Sequence, residues 1–405
     1  MSNMTTATGQ RCLYCGAEFP LFPPILHGCP RCMTDDFKAP LELVYDYPDN
    51  TDWMPSAPLP GLTRYAPMLP PLAEHVSMGE GGTPLIACPP DVLGGKFELY
   101  IKDESRNPTW SHKDRLNLCV TSTAVAMGDP GIVAASSGNH GAACAAYAAR
   151  AGLPAIILCT PRPPAVESFL NAFGQTVVAV PEATMRWTLM QRVIEEMKYH
   201  PASNFTDPPT NHPFGSEGYK TIAYEIYLQL DGRAPEAVFI PVGYAELTFG
   251  VFKGFRELHE FGLIPQIPHI IGCEPAAGAP LKLAVESGQR IARVDVDPTE
   301  AYAIAVPVNS YRGVVAIRGS EGHVLAITEA EMRDAQTKLG KTGIWSEISS
   351  VISFAGALRA AELPLTGDGP LVAINTSNGF KDNSVGNNPI PLIDGSWEAL
   401  QALLI

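Results

Sequence analysis

A lysine at the junction of a loop and a helix is the first candidate for chemistry in this sequence. Lys113 lies in the segment K-D-E-S-R-N-P-T-W-S-H-K-D-R (102–115), directly before a helical pattern. The positive end of the helix dipole and partial burial both lower the pKa of such an amine. A larger fraction of free amine is then available to attack a carbonyl carbon and form an imine. A lysine by itself is more often a solvated surface residue, so the assignment depends on its neighbours.

A glycine-containing segment is the second candidate. The sequence S-S-G-N-H-G (136–141) follows a short buried strand and leads into an alanine-rich helix. Small residues at such a turn let the backbone approach a planar ligand, and the amide of Asn139 is able to bond a ring substituent. By itself the segment is equally consistent with an ordinary turn between a strand and a helix.

Four cysteines form a separate candidate site for a metal ion. They occur as two C-x2-C pairs, C-L-Y-C-G and C-P-R-C, and comprise Cys12, Cys15, Cys29 and Cys32. Each pair makes a tight turn that directs two thiolates to one point, and a tetrahedral Zn²⁺ ion needs four. A closed four-sulfur shell predicts a structural zinc ion, with two disulfides as the alternative. The remaining cysteines are expected to be small buried hydrophobic residues, namely Cys88, Cys119, Cys144, Cys159 and Cys273.

Length and charge limit the classes of partner. A chain of 405 residues is too long for one ordinary core, which predicts two domains and a small addition. The net charge of -14 argues against a nucleic-acid or anionic-membrane partner but permits a small anionic substrate bound by local groups. No apolar run reaches the roughly 20 residues needed to span a bilayer. The first ten residues are polar, so a cytoplasmic location is expected by elimination.

Strands and helices that alternate from about residue 83 must position these candidates. Continuous β-branched runs between the helices indicate parallel sheets covered on both faces. The predicted class is therefore α/β, with two parallel or mostly parallel sheet domains and a small N-terminal module. Strands are predicted at 97–102, 131–135, 155–159, 176–180, 237–241, 269–273 and 371–375, and helices at 114–127, 142–150, 217–230 and 247–260.

These segments together resemble the fold-type II pyridoxal-phosphate enzymes, also called the tryptophan synthase beta superfamily, and within them the threonine synthase group. The entry motif G-E-G-G-T-P-L (79–85), the lysine motif N-P-T-W-S-H-K-D-R (107–115) and the S-S-G-N-H-G loop occur in that group's order. The stretch E-G-Y-K-T-I-A-Y-E (217–225) and the tail N-T-S-N-G-F-K-D (375–382) are similar as well. The resemblance covers nearly the whole chain. Some threonine synthase relatives also carry an N-terminal zinc-ribbon-like segment.

The resemblance implies a role for each candidate residue. Lys113 is expected to bond pyridoxal 5'-phosphate covalently and later to move the Cα proton of the substrate, while Asn139 bonds the ring hydroxyl. Thr376 takes the place of the group that faces the pyridine nitrogen, and a neutral hydroxyl there favours prompt loss of a β or γ leaving group. The cofactor phosphate is assigned to a loop with Gly243, Ala245 and Thr248, and the substrate carboxylate to Ser136, Ser137, Gly138 and His140.

The same resemblance divides the chain into domains. Residues 1–45 form the zinc-ribbon-like module, and the proline-rich residues 46–82 form an extended arm over the body, since prolines exclude helix and central strand. The large cofactor domain comprises 83–128 and 215–405, and the small mobile domain comprises 129–214. A homodimer is also expected from the family.

Several positions depart from the family's pattern. Glu246 brings a negative charge into the cofactor-phosphate loop P-V-G-Y-A-E-L-T. Either its side chain points outward, which we expect, or it weakens binding of the cofactor. Gly215 stands where threonine synthases usually carry an arginine, which removes a bidentate partner for an anionic substrate. His112 replaces a phenylalanine, as a packing residue or as a second acid–base group. The segment W-S-E-I-S-S (345–350) replaces E-P-T-S and keeps its polar character.

Three functions follow as hypotheses. The first is a threonine synthase-like lyase, which eliminates phosphate from O-phosphohomoserine and adds water at Cβ. The second is β-elimination or β-replacement on serine, threonine or an activated or unusual amino acid, because the asparagine loop is nearer that of serine and threonine dehydratases. The third belongs to another class, a catalytically silent binding protein. The choice of amino acid and of nucleophile stays open, because the residues that would determine it are those that depart from the family.

Overall fold

The computed structural model describes residues 5–366, 369–382 and 390–403. Within these ranges the strands form three sheets, which confirms the predicted α/β class. The strands are β1 (Ala7–Cys12), β2 (Glu18–Pro20), β3 (Leu41–Tyr45), β4 (Leu85–Ala87), β5 (Leu99–Asp103), β6 (Ile132–Ala135), β7 (Ala155–Cys159), β8 (Thr176–Ala179), β9 (His200–Pro201), β10 (Ala237–Pro241), β11 (His269–Pro275), β12 (His323–Ile327) and β13 (Leu371–Asn375).

Two of the sheets are parallel or mostly parallel, as predicted. The large sheet has the strand order β12-β11-β10-β13-β5-β4, and only β4 is antiparallel to its neighbour. The small sheet has the order β8-β7-β6-β9 and is parallel throughout. Because the carboxyl ends of parallel strands lie at one edge of a sheet, each sheet offers one edge for ligand binding.

Helices cover the sheets. In the described ranges they are α1 (Lys113–Met127), α2 (Asn139–Ala151), α3 (Pro164–Asn171), α4 (Ala183–Met197), α5 (Lys220–Gln229), α6 (Glu246–Glu260), α7 (Pro280–Glu286), α8 (Tyr311–Gly319), α9 (Glu329–Lys341), α10 (Ile348–Leu358) and α11 (Trp397–Gln401). The helix α10 packs on β10, β11 and β13, and its apolar residues are buried in a core with that sheet. None of the described helices is both long and apolar enough to cross a membrane.

The sequence did not predict the module strands β1, β2 and β3 or the helices α3, α4 and α7 to α11, and its other elements need three corrections. The strand set at the sequence level lacks β4, β9 and β12, which have two to five residues each and show little periodicity. Helix α2 begins at Asn139 rather than at residue 142, so its first turn includes the S-S-G-N-H-G segment. The helix predicted at 217–230 starts as a 3-10 turn, Gly215–Tyr219, and becomes α-helical only at Lys220.

The proline-rich arm is built into the main core. The prediction that its prolines exclude helix is wrong, because a 3-10 helix spans Leu62–Met68 and contains Pro67. Leu62, Tyr65 and Met68 are fully buried in the largest hydrophobic cluster, with residues of α1, α2 and α5. The domain limits assigned from the sequence stay predictions.

The N-terminal module is fixed to helix α6 by buried charges. Glu42 on β3 forms ion pairs with Lys253 (3.4 Å) and Arg256 (2.6 Å), both on α6. These cations hold the pKa of the Glu42 carboxyl well below its usual range despite burial, which opposes them. Tyr45 on the same strand donates to Glu217 at 2.8 Å. The three-stranded module sheet β2-β1-β3 is therefore joined to the body by more than apolar contact.

Candidate active site

A cavity of about 510 Å³ lies at the carboxyl ends of strands from both parallel sheets. Residues after β6 and β7 line one side, and residues after β10 and β13 line the other. The cavity includes all the predicted cofactor and substrate residues except Thr248, namely Lys113, Ser136, Ser137, Gly138, Asn139, His140, Gly243, Ala245 and Thr376. Thr248 is fully buried in α6, and its hydroxyl has no hydrogen-bond partner among the described residues.

Lys113 is the first residue of α1, as its position in the motif predicts. Its side chain is 21% exposed, and its pKa is lowered by burial, which a nearby carboxylate partly offsets. In the described part of the chain the Nζ atom has no hydrogen bond, and its nearest charged partner is Glu246 at 3.8 Å. The amine therefore lies in the cavity with the ion pair to Glu246 as its one charged contact among the described residues.

Glu246 faces into the cavity, so the expectation that it points outward is wrong. The backbone of Ala245 is left-handed (φ 58°), which makes Glu246 the first residue of α6. A carboxylate in that position is stabilised by the helix dipole and is attracted by Lys113. The residue that interrupts the predicted phosphate loop thus forms an ion pair with the candidate nucleophile.

Asn139 is held by two hydrogen bonds at the first turn of α2. Its Nδ2 donates to Glu347 at 2.9 Å, and its Oδ1 accepts from Ser377 at 3.2 Å. Burial raises the pKa of Glu347 to about 7, although Lys381 opposes this. The amide is therefore oriented toward the W-S-E-I-S-S segment, which supplies a titratable group that the sequence prediction described only as polar.

His140 and His112 are both neutral near pH 7 for the same reason. Burial, reinforced by the charge of Lys113, lowers the pKa of His140 to about 3 and places that of His112 well below its usual range. His140 Nδ1 lies 3.2 Å from the amide of Asn117, and its Nε2 donates to the carbonyl of Ala202 at 3.1 Å. His112 stacks on Tyr219, with ring centroids 5.4 Å apart. A packing role fits His112 better than a role as an acid or base.

Gly215 lies outside the cavity lining and packs against α1. A Cβ atom at this position would lie 2.9 Å from Val120 and 3.0 Å from Leu116, so the glycine is required by packing. The 3-10 turn thus packs closely against α1 at this position, where any side chain would require both neighbours to shift.

Four cavity residues with charged or hydroxyl-bearing aromatic side chains stand out among those that the sequence did not assign to the site. They are Arg162, Arg186, Tyr302 and Lys381. Arg162 follows β7, so the rule that ligands bind at the carboxyl ends of parallel strands was a signal for it. Arg186 lies in α4 without any motif, and Tyr302 lies in a loop, so nothing in the local sequence distinguishes either one. Lys381 belongs to the tail motif, and its Nζ donates to the carbonyls of Thr109 and Trp110.

The four cysteines of the N-terminal module lie together as predicted. Their Sγ atoms are all within 4.8 Å of one another, with 3.6 Å between Cys12 and Cys32 and 3.7 Å between Cys15 and Cys29. Zinc–sulfur bonds of about 2.3 Å in a tetrahedron place sulfur atoms about 3.8 Å apart. All four thiols are free, so the donor set has the chemistry and spacing of a zinc site rather than of two disulfides.

Comparison with known proteins identifies the family. A family model described as "Pyridoxal-phosphate dependent enzyme" matches residues 76–377, which is more than half of the chain. The chain belongs to this family. It is 31% identical over 385 residues to a threonine synthase from Methanosarcina acetivorans, covering 92% of each chain. It is 33% identical over 393 residues to a threonine synthase from Methanocaldococcus jannaschii, covering 92% of this chain and 93% of that one.

Solved structures of this pyridoxal-phosphate dependent family share the fold. A threonine deaminase from T.th. superposes with a TM-score of 0.62 at 25% identity, covering 76% of this chain and 94% of that one. Threonine synthase homologues and dehydratase-like structures are thus both among the relatives. The predicted family and fold are confirmed by these findings.

The residues present fit the family's cofactor at all but one point. Lys113 offers a free amine, Asn139 an amide and Thr376 a buried hydroxyl group around one cavity. Gly243 leaves open space, because an added Cβ would meet only ordinary contacts with Ile304. The N-terminus of α6 suits a phosphate, but Glu246 places a like charge there. The exception concerns only the phosphate end of the cofactor.

Proposed function

We propose that this protein binds pyridoxal 5'-phosphate at Lys113 and catalyses elimination or replacement on an amino acid, as a threonine synthase-like lyase. The leading reaction converts O-phosphohomoserine and water into threonine and phosphate. The cavity at the carboxyl ends of both sheets holds the candidate residues together, and homology to threonine synthases over most of the chain supports this chemistry. The homodimer, the mobile small domain and the cytoplasmic location belong to the same proposal.

The state of the Lys113 amine carries the proposal. Two lysines line the cavity, but Lys381 donates to two backbone carbonyls, at 3.2 Å and 2.9 Å, and so is already engaged. Burial lowers the pKa of both amines, that of Lys381 to about 8, but Lys113 has only the 3.8 Å ion pair with Glu246 among the described residues. The unprotonated amine is the nucleophilic form, so Lys113 is the better candidate for the covalent bond to the cofactor.

The protein's own groups have distinct tasks in this reaction. When bound, the cofactor supplies an electron sink that stabilises negative charge at the substrate Cα. Lys113 Nζ takes the Cα proton, and its lowered pKa makes it easier for the amine to give that proton back. The N–H groups at the start of α2 bind the substrate carboxylate. His140 in the same turn is neutral and adds no charge to this part of the site. The hydroxyl of Thr376 keeps a neutral group near the ring nitrogen.

The first test is the visible absorption of the full chain mixed with pyridoxal 5'-phosphate. Wild type and Lys381→Ala should both show the band of a lysine-bound cofactor, and Lys113→Ala should show none. Lys381→Ala is the matched control, since it removes the other cavity lysine. A band that survives in Lys113→Ala but is lost in Lys381→Ala would reverse the assignment. No band in wild type would support the catalytically silent binding protein.

The second test separates the candidate reactions. Wild type is given O-phosphohomoserine, serine or threonine, and released phosphate, threonine and 2-oxo acid are measured. Phosphate and threonine in equal amounts support the threonine synthase reaction. The β-elimination alternative, favoured by the S-S-G-N-H-G loop and the likeness to a threonine deaminase, predicts ammonia and a 2-oxo acid from serine or threonine instead.

We also propose that the four-cysteine cluster of the N-terminal module binds one structural Zn²⁺ ion. Supporting this, the Sγ separations of 3.6 Å and 3.7 Å match those of a tetrahedral four-sulfur site. Elemental analysis of purified protein should give one zinc per chain, and Cys15→Ser should lose it while Cys88→Ser, outside the cluster, should not. Protein that folds normally without any metal would contradict the proposal.

A further inference from the structure

A chain of hydrogen bonds joins two arginines on the small-sheet side of the cavity. Arg162 Nη2 donates to Thr160 Oγ1 at 3.1 Å, and Arg186 Nη1 donates to Ser137 Oγ at 3.1 Å. The two hydroxyl oxygens are 3.1 Å apart, and the backbone N–H of Thr160 also donates to Ser137 Oγ at 2.8 Å. The two guanidinium groups are thus linked through side chains of the S-S-G-N-H-G segment and the end of β7.

The direction of each hydrogen bond follows from the number of lone pairs. Ser137 Oγ accepts from Arg186 and from the Thr160 backbone, so its own proton must go to Thr160 Oγ1. Thr160 Oγ1 then accepts from Ser137 and from Arg162, which leaves its own O–H free to donate. Of the members that line the cavity, Ser137 then has no acceptor left and the two arginines present only donors, as an anion requires.

The positive charges of these two arginines are not balanced by the protein. Within the described residues neither guanidinium forms an ion pair with a carboxylate, and Glu167 accepts only from the backbone of Arg162. The Nε atom of Arg162 is buried without a hydrogen-bond partner there. Burial and the nearby charge of Arg162 lower the pKa of Arg186, in line with two cations held close together. Such a pair is costly unless an anion joins it.

The planar group of Arg162 is also oriented in advance. It stacks over the ring of Tyr302, with 4.6 Å between the guanidinium carbon and the ring centroid. This stacking restricts the plane in which its donors lie without using any of them. Arg186 makes a further hydrogen bond, which its Nε donates to the carbonyl of Ala183 at 3.1 Å. Both side chains are thus fixed before a ligand arrives, which lowers the entropy lost on binding.

We propose that Arg162 and Arg186 form an anion subsite that binds a phosphate or carboxylate group at the far end of the substrate amino acid. This inference rests on the proposed function, since it takes the cavity to be the substrate site. It assigns the specificity of this chain to guanidinium groups on the small-sheet side, at positions outside the motifs shared with the family. The substrate class is then an amino acid with a second anion in its side chain.

Three amino acids of matched length test the subsite: 2-amino-5-phosphonopentanoate, 2-aminoadipate and norvaline. Trp187 lines the same cavity beside Arg186, so its fluorescence reports binding to the full chain. Titrations are made with and without pyridoxal 5'-phosphate. Wild type should bind the phosphonate or the dicarboxylate at least about 10-fold more tightly than norvaline, because charge-assisted hydrogen bonds are lost with the neutral side chain.

Arginine variants connect that preference to the two residues. Arg162→Gln and Arg186→Gln should each weaken binding of the preferred anionic ligand by about 10-fold to 100-fold and leave norvaline unchanged. Arg192→Gln is the matched control, because Arg192 lies on the same helix with its side chain 66% exposed and paired with Glu196. A loss of equal size in the Arg192 variant would mean that net charge alone steers the ligand, and would overturn the proposal.

The outcomes separate this inference from the proposed function. Equal affinity for all three amino acids, or Gln variants that keep the anion preference, would overturn the subsite even if the cofactor band is present. Anion binding that depends on both arginines without a cofactor band would support the subsite and refute the enzyme. Preference for the phosphonate over the dicarboxylate would assign a phosphate ester, and the reverse preference would assign a carboxylate; both results support the proposal.

Discussion

Arg115 lies two residues after Lys113 and contrasts with the two arginines of the cavity. Its guanidinium makes two hydrogen bonds to Glu104, at 2.7 Å and 2.8 Å, and two to Glu225, at 2.6 Å and 2.8 Å. Thr83 and Thr221 accept from it as well. Arg162 and Arg186, by contrast, bind only hydroxyl and carbonyl oxygens of the described residues and leave donors without partners.

This difference distinguishes charged residues that stabilise the fold from charged residues that are available to bind a ligand. A buried cation whose donors are all satisfied by carboxylates contributes to the orientation of the elements it joins, here α1, α5 and the turn after β5. A cation left with free donors beside another cation destabilises the unliganded protein slightly and favours anion binding. Lys113 and Glu347 differ from Arg115 in another way, since burial shifts the pKa of each toward its neutral form.

The largest effect expected from this contrast is on stability. Arg115→Gln should lower the free energy of unfolding by about 3 to 5 kcal/mol, because it leaves the buried Glu104 without its ion-pair partner and Glu225 with Lys102 alone. Arg186→Gln should change it by less than about 0.5 kcal/mol, as for a substitution away from a paired network. Urea unfolding of both variants checks this. Equal losses in the two variants would remove the distinction between paired and unpaired charges.

The next effect concerns the pH dependence of stability. Burial raises the pKa of Glu347 to about 7 from its ordinary value of 4.5. The folded state therefore holds a proton that the unfolded state has lost, so stability falls as the pH rises from about 4.5 to about 7. The loss amounts to about 3 kcal/mol for a shift of this size. Glu347→Gln should abolish this part of the decline.

Urea unfolding of wild type and Glu347→Gln at pH 5 and pH 8 measures this difference. The variant should gain stability relative to wild type at the higher pH. Glu362→Gln is the control, because Glu362 is exposed at the surface and pairs with Arg359. Asp114 and Glu274, whose pKa burial also raises to about 7, affect both proteins alike. An equal decline in wild type and Glu347→Gln would mean that Lys381, which lowers the pKa of Glu347, compensates the burial of its carboxyl.

The parts of this site that the sequence predicted correctly are those encoded locally. The cysteine cluster and the position of Lys113 each follow from short spacings, and their motifs contain the turns that create the geometry. The direction of Glu246 was predicted wrongly, because it depends on a left-handed residue before α6 and on an amine from another element. Arg162 and Arg186 come together only when β7 and α4 fold into one side of a cavity.

A smaller effect is expected at the phosphate end of the cofactor. Glu246→Gln removes a carboxylate from the N-terminus of α6, and binding of pyridoxal 5'-phosphate should tighten by about tenfold. The pKa of Lys113 should fall further, because Glu246 raises it. Titration of the visible band against cofactor concentration measures this affinity. Glu260→Gln at the other end of α6 should have no effect. Weaker binding in Glu246→Gln would show that the ion pair positions the amine.

The smallest effect separates orientation from charge at the anion subsite. Tyr302→Phe keeps the ring beneath Arg162 and loses only the hydroxyl, which donates to the Lys381 carbonyl at 3.2 Å. Tyr302→Leu removes the ring, and with it a cation–π contact worth about 0.5 to 1 kcal/mol. Affinity for the preferred anionic amino acid should therefore stay within about twofold in the Phe variant and fall by about two- to fivefold in the Leu variant. Since Arg162 has no carboxylate among the described residues to hold it, the aromatic ring is the contact that keeps an unpaired guanidinium in place. Equal affinity in the two variants would mean that the hydrogen bond to Thr160 is sufficient for this orientation.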